Sequence, residues 1–261
     1  MNKVKFLGTA GARVVVTKQL RASGGIWLSL EGTNLLIDPG PGSLVKCFKS
    51  RPKLNPAKLD GIILTHKHLD HSADINIMIE TMTEGGFKKR GTVFAPLDAL
   101  EGEDPVILRY LRNFPEKIEV LKEGGRYSLK NITLETPKRH QHKVETYGLN
   151  VKSGQISVSL ISDTRYFEGL EKYYPGKVVV INVVRYQPKE GLDHLNIKDA
   201  EKIIANLKPK LAVLTHFGMT MIRAKPYQVA QEMQEKLERL ERLSLRVIAA
   251  RDGMEINLDN Y

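Results

Sequence analysis

The stretch Thr65-His66-Lys67-His68-Leu69-Asp70-His71 places three histidines and one carboxylate within six consecutive positions, 66–71. A solvated charge run would use lysine or glutamate. Imidazole and carboxylate are instead the donors that suit Zn²⁺, Mn²⁺ or Fe. The run follows a short apolar segment, residues 61–65. It precedes Ile75, Met78, Ile79 and Met82, whose spacing of i, i+3, i+4, i+7 predicts an amphipathic helix. Period-two geometry at the strand end points His66 and His68 the same way, and the turn beyond aims Asp70 and His71 at a neighbouring point. The fold must therefore join a strand end to a helix start around a cation.

Composition removes several alternatives. The single cysteine, Cys47, excludes an internal disulfide framework and any Cys-rich zinc or iron–sulfur site. It lies outside every motif and reads as a small buried hydrophobe. A chain of 261 residues can bury a sizeable core without staples, and we read 1–261 as one domain. With 41% hydrophobic and 27% charged residues it is a globular sequence, not a disordered one. Its longest apolar runs, such as 178–181, are too short to span a bilayer, and residues 1–8 lack a signal-peptide core. The expectation is a soluble, cytoplasmic protein with no membrane partner. Forty Lys and Arg against thirty Asp and Glu leave a net charge of +10. The first sixty residues hold ten of those bases and only three acids. Such a face suits a phosphate-bearing partner and also serves solubility.

Short strands are expected at 4–7, 26–30 and 34–37, with Glu31-Gly32-Thr33 as a hairpin turn and Asp38-Pro39-Gly40-Pro41-Gly42 as a stop. Further strands are read at 93–95, 126–129, 132–136, 147–151, 156–161, 177–182, 210–214, 245–249 and 254–258. Helices are read at 106–114, ended by Pro115, and at 197–207. A last helix opens at Pro226 with the stripe Val229, Met233, Leu237 and Leu240. The pattern suits two sheets packed face to face with helices outside.

Three more donors are read at the C-terminal end of a strand or just after one. His142 precedes Lys143-Val144-Glu145-Thr146-Tyr147-Gly148, Asp163 follows the run 156–161, and His216 follows 211–215. Sites in α/β architectures collect at such places.

His66-Lys67-His68-Leu69-Asp70-His71 resembles the HxHxDH signature of the metallo-β-lactamase superfamily. Phe6-Leu7-Gly8-Thr9-Ala10-Gly11 is similar to the opening of its ribonuclease Z and PhnP-type phosphodiesterase branch. Leu36-Ile37-Asp38-Pro39-Gly40 looks like the family's second hairpin, and Leu214-Thr215-His216-Phe217-Gly218 like its last ligand motif. The resemblance spans nearly the whole chain. It implies an αββα four-layer sandwich of two mixed β-sheets flanked by helices. It also implies two divalent metal ions, zinc first, with manganese or iron as alternatives. His66, His68 and His142 would hold one ion, Asp70, His71 and His216 the other, and Asp163 would bridge them.

The cysteine count sets the chain apart from the common class B β-lactamases and from PhnP's extra zinc site. Ribonuclease Z carries a His-Glu-Ala-Thr motif where this chain reads Ile181-Asn182-Val183-Val184-Arg185, but its following histidine is matched by His194. The flexible arm that grips tRNA has no room in the 21 residues between His142 and Asp163, which a two-strand hairpin fills.

The reading is metal-dependent hydrolysis of a phosphodiester by a hydroxide bridging two cations, making the chain a phosphodiesterase or nuclease. Asp70 or Asp163 would orient the hydroxide, and His194 would protonate the leaving oxygen. Alternatives are a thioester or lactone hydrolase of the same superfamily, or a non-catalytic metal- or nucleic-acid-binding member. The partner is a phosphate-bearing small molecule or nucleic acid, and a homodimer is compatible. His140 is read as flanking the site. Lys138, Arg139 and Lys143 either bind phosphate or are solvated.

Overall fold

The computed structural model describes residues 2–241 and 245–261. Its fourteen strands form two seven-stranded sheets. The first sheet is built from β1 (Lys3–Phe6), β2 (Ile26–Leu30), β3 (Thr33–Ile37), β4 (Gly61–Ile63), β5 (Thr92–Pro96), β6 (Lys117–Leu121) and β14 (Glu255–Asn257). Its order is β14-β1-β2-β3-β4-β5-β6, antiparallel through β3 and parallel beyond. The second sheet holds β7 (Gly125–Leu129), β8 (Ile132–Thr136), β9 (Leu149–Ser153), β10 (Ile156–Ile161), β11 (Val178–Asn182), β12 (Leu211–Thr215) and β13 (Arg246–Ala249). Its order is β13-β12-β11-β10-β9-β8-β7, with β10 to β13 parallel.

Side-chain alternation along the strands defines four layers. On β12, Leu211 and Val213 face the other sheet, where they join Phe6, Leu28 and Ile37 in one buried cluster. Ala212 and Leu214 point the opposite way. They pack under Ile203 and Ile204 of α5 (Ile197–Leu207) and Val229 and Met233 of α7 (Pro226–Glu241). The first sheet repeats the scheme. Leu36 and Ile62 turn outward onto Ile75, Met78 and Met82 of α4 (Ile75–Met82) and onto Cys47 of α2 (Ser43–Lys49). This is the αββα sandwich that the sequence implied. Buried strands on both faces explain the near-continuous apolar runs of β11 and β12. Leu240, the fourth residue of the expected stripe, lies outside the described side chains. Among the described residues no helix is long and apolar enough to cross a membrane.

Several local expectations are corrected. Residues 106–114 form no α-helix, only a 3₁₀ segment, Arg109–Asn113. The Asn76 side chain takes the Val106 carbonyl and the Leu108 amide, so these groups cannot enter a helical ladder. The sequence reading made no assignment for the β-branched run 14–16, which lies in a helix, α1 (Ala12–Thr17), where Val15 and Val16 gain burial against Ala10 and Met219. Strand β6 and helix α2 have no counterpart in the sequence reading. β6 is a half-exposed edge strand whose mixed pattern hides its periodicity.

Candidate metal centre

The motif at 66–71 divides into two structural parts. Strand β4 ends at Ile63, and His66 and His68 lie in the extended stretch that follows. His68 is the N-cap of the single-turn helix α3 (Leu69–Ser72), and that turn presents Asp70 and His71. Asp38, just beyond β3, fastens both parts. Its Oδ1 accepts from the Thr65 amide at 2.7 Å, and its Oδ2 accepts from the Thr65 hydroxyl at 2.8 Å and from His71 Nδ1 at 2.9 Å.

The second sheet supplies two of the remaining donors from the C-terminal ends of its parallel strands, where α/β sites gather, and the third from the loop leading into an antiparallel strand. Asp163 follows β10, His216 follows β12, and His142 precedes β9. Asn182, the last residue of β11, donates to Asp163 Oδ1 at 2.9 Å, which leaves Oδ2 to face the imidazoles. His216 holds φ at 60° and Asp38 at 53°, conformations that cost a non-glycine residue about 1–3 kcal/mol. Both strained residues belong to this cluster. Close approach enforces glycine beside it. A Cβ on Gly11 would lie 2.1 Å from the His216 carbonyl oxygen, and one on Gly40 equally close to that of Asp70.

Two outer donor triads result, His66–His68–His142 and Asp70–His71–His216, and a third, His66–His71–Asp163, links them, each with ligand atoms within 4.8 Å of one another. Asp163 stands between them. Its Oδ2 lies 3.9 Å from His66 Nε2, 3.6 Å from His71 Nε2 and 3.5 Å from His216 Nε2. Asp70 Oδ2 is 3.5 Å from His216 Nε2.

The hydrogen bonds behind the rings decide which nitrogen faces inward. His71 Nδ1 donates to Asp38 and His142 Nδ1 to the Asp193 carbonyl at 3.0 Å, so in the neutral form of each ring the lone pair sits on the inward-facing Nε2. Those lone pairs meet other nitrogens: His71 Nε2 is 3.3 Å from His216 Nε2, and His142 Nε2 is 3.1 Å from His68 Nδ1. His66 Nε2 is buried without any hydrogen-bond partner. A buried nitrogen without a partner is costly alone, and a cation among these converging ring nitrogens satisfies it. The donor set therefore fits divalent metal.

The electrostatics agree. Burial and the neighbouring His71 hold His66 well below the ordinary imidazole range, and burial with His142 brings His68 to about 4. Burial opposes charge on Asp163, but His216 and the surrounding imidazoles outweigh it and keep this carboxyl well below its usual value. Burial likewise opposes charge on His71, yet the Asp38 and Asp70 carboxylates hold its pKa well above the ordinary value. Without a cation the cluster thus holds neutral imidazoles at His66 and His68 and an ionised Asp163, whereas His71 keeps a proton that an arriving metal would displace.

The beta-lactamase superfamily domain pattern matches residues 33–217. The chain belongs to the metallo-β-lactamase superfamily. The uncharacterized protein MJ1374 of Methanocaldococcus jannaschii is 27% identical over 266 residues, covering 99% of this chain and 96% of its own. A ribonuclease Z of Methanopyrus kandleri is 24% identical over 289 residues, covering 98% and 97%. Among solved structures, the metallo-β-lactamase fold protein YhfI from Bacillus subtilis matches with a TM-score of 0.74 at 20% identity over 98% of each chain. Short-form human tRNase Z matches with a TM-score of 0.69 at 17% identity, covering 98% and 99%. These likenesses show the shared fold.

The structure brings together every site residue named from the sequence. His194 joins the superfamily's donor cluster from the loop before α5, its Nδ1 buried without a hydrogen-bond partner. His140 stands behind the cluster. Its Nδ1 donates to the Asp163 carbonyl at 3.2 Å, and its Nε2 accepts from the Tyr174 hydroxyl at 2.7 Å. The basic residues near it are less free than expected, since Lys138 pairs with Glu123 at 2.6 Å. Sequence reasoning missed the supporting roles of Asp38, Thr65, Asn182 and the Asp193 carbonyl. The Asp38-Pro39-Gly40 segment is the one visible signal, as a strand stop and as the family-like second hairpin, and neither reading gives Asp38 a role at the site.

Proposed function

We propose that this chain is, as one domain, a dinuclear metal-dependent phosphodiesterase or nuclease. The observation that carries the proposal is the convergence of two donor triads on the single carboxylate of Asp163. His66, His68 and His142 would hold one divalent cation, zinc first among the candidates. Asp70, His71 and His216 would hold the second, with Asp163 shared. Two such ions supply Lewis acidity towards phosphoryl oxygens and lower the pKa of a water.

The chain's own residues do the rest. Asp38 and Asn182 fix the orientation of His71 and Asp163, so the donors need not reorganise as charge develops. Asp70, at the half-exposed side of the cluster, accepts the proton of the attacking water. His194, with 20% of its side chain exposed, donates a proton to the departing oxygen. The activities of two similar proteins, a ribonuclease Z and a diphosphatase of the PhnP family, support phosphate esters as the substrate class.

The test is metal analysis of purified protein followed by hydrolysis of bis(p-nitrophenyl) phosphate, a thioester and a lactone. The expected result is near two metals per chain and preference for the phosphodiester. A thioester or lactone preference would move the substrate class. A metal-replete protein inert on all three would refute the enzyme reading.

A further inference from the structure

Beside the cluster, two arginines share one aromatic ring. Arg21 lies with its guanidinium carbon 5.2 Å from the Tyr227 ring centroid and 5.1 Å from that of Phe217, the residue after His216. Arg251 lies 4.7 Å from the same Tyr227 centroid. Arg21 Nη1 donates to Thr9 Oγ1 and to Tyr227 Oη, each at 3.0 Å, and its Nε and Nη2 make no hydrogen bond to the described residues. The Arg251 side chain, which is exposed, makes none either. The nearby acid, Asp252, is committed elsewhere: it accepts from the Thr9 amide, the Thr9 hydroxyl and the Ala22 amide.

Among the described residues neither guanidinium is in an ion pair. Two permanent charges held on one ring repel each other, and an arriving anion relieves that repulsion. The planar forks left free match phosphate oxygens. The place is continuous with the metal centre. Thr9 lines one cavity together with Asp70, His71 and His216, and Arg21 is one hydrogen bond beyond it.

We propose that Arg21 and Arg251, carried on Tyr227, bind a phosphate other than the one that is hydrolysed, on a single-stranded polynucleotide. The proposal rests on the phosphodiesterase reading above and extends it to the substrate's length. The donor cluster serves the scissile group, so anion sites beyond Thr9 call for a second phosphate on the same molecule. A single strand is the form that fits. His66, His71 and Asp163 are 0–3% exposed while His68, Asp70 and His142 are half-buried, and a flexible strand bends towards such a partly sunken centre more readily than a rigid duplex.

The test is fluorescence anisotropy of a labelled oligodeoxythymidylate with zinc-loaded full-length protein over a range of salt, the strand being checked as intact after each reading. Arg251→Ala should weaken binding about tenfold and lower the salt slope by about 0.7, one lost phosphate contact on a single strand. Arg21→Lys keeps the charge and loses the fork, so it should weaken binding by a smaller factor. Lys88→Ala, remote and paired with Glu84, should bind as wild type. Equal affinity and slope for wild type and Arg251→Ala, or no binding by wild type, would overturn the proposal. The parent reading fails separately, if wild-type protein binds the strand through Arg251 yet leaves bis(p-nitrophenyl) phosphate intact.

Discussion

Asp163 Oδ2 lies 3.4 Å from Nδ1 of His194, a nitrogen that makes no hydrogen bond among the described residues. The imidazole stands at the edge of the donor cluster, facing the shared carboxylate. Burial lowers its pKa from the ordinary 6.5. A proton donor is needed only where the leaving oxygen is basic. His194→Ala should thus cut turnover of a diester with a nucleoside leaving group by about 100-fold or more, and that of a p-nitrophenyl ester far less. Bound metal should stay at the wild-type level. Steady-state rates on both esters, with metal analysis, check this, and an equal loss on both would rule out the acid role.

Asp38 supports only one of the two triads directly. Asp38→Asn keeps the shape but removes the charge facing His71 Nδ1 at 2.9 Å. Changes behind a ligand commonly cost 10–100-fold in metal affinity. The expected result is a loss of that order for one of two zinc ions, with the ion at His66, His68 and His142 retained. Competition with a chromogenic chelator would show it as one weakened and one ordinary site. Equal weakening of both would contradict the division into triads.

The donors were legible because their chemistry is concentrated in sequence or stands at strand ends. His66, His68, Asp70 and His71 fall within six residues, and Asp163 and His216 each follow an apolar run. Asp38 was not, because its bonds to Thr65 and His71 span 27 and 33 residues and exist only once β3 and β4 pair in parallel. The same holds for Arg21 and Tyr227, 206 residues apart. Of the fold, the buried strands and amphipathic helices were readable from periodicity. Helix α1 was hidden because Val14, Val15 and Val16 favour strands locally, and tertiary burial of two of them overrides that preference.

Cys47 is fully buried under the first sheet, and burial, with Asp74 nearby, raises its thiol to about 12. Thiolate is the reactive form, so the native protein should resist a disulfide reagent at neutral pH. Modification should proceed at the rate of unfolding and become immediate in denaturant. Rapid labelling of native protein would show that helix α2 opens readily over its sheet.

His140 gives the metal-free fold a dependence on pH. It is buried, and burial brings its pKa to about 4, against an ordinary 6.5. Between those values the unfolded chain binds a proton that the folded chain does not, so stability rises with pH. The contribution is fully present above 6.5 and is lost as pH falls towards 4. Its size is on the order of 3 kcal/mol. In His140→Gln the titrating group is gone, and the amide can still donate to the Asp163 carbonyl. Urea unfolding of chelator-treated protein at steps from pH 7 to pH 4 should therefore give a shallower decline for the variant than for wild type, even if the variant starts lower. Parallel curves would mean that His140 is protonated in the folded state, its Nε2 then donating to the Tyr174 oxygen in place of accepting from it.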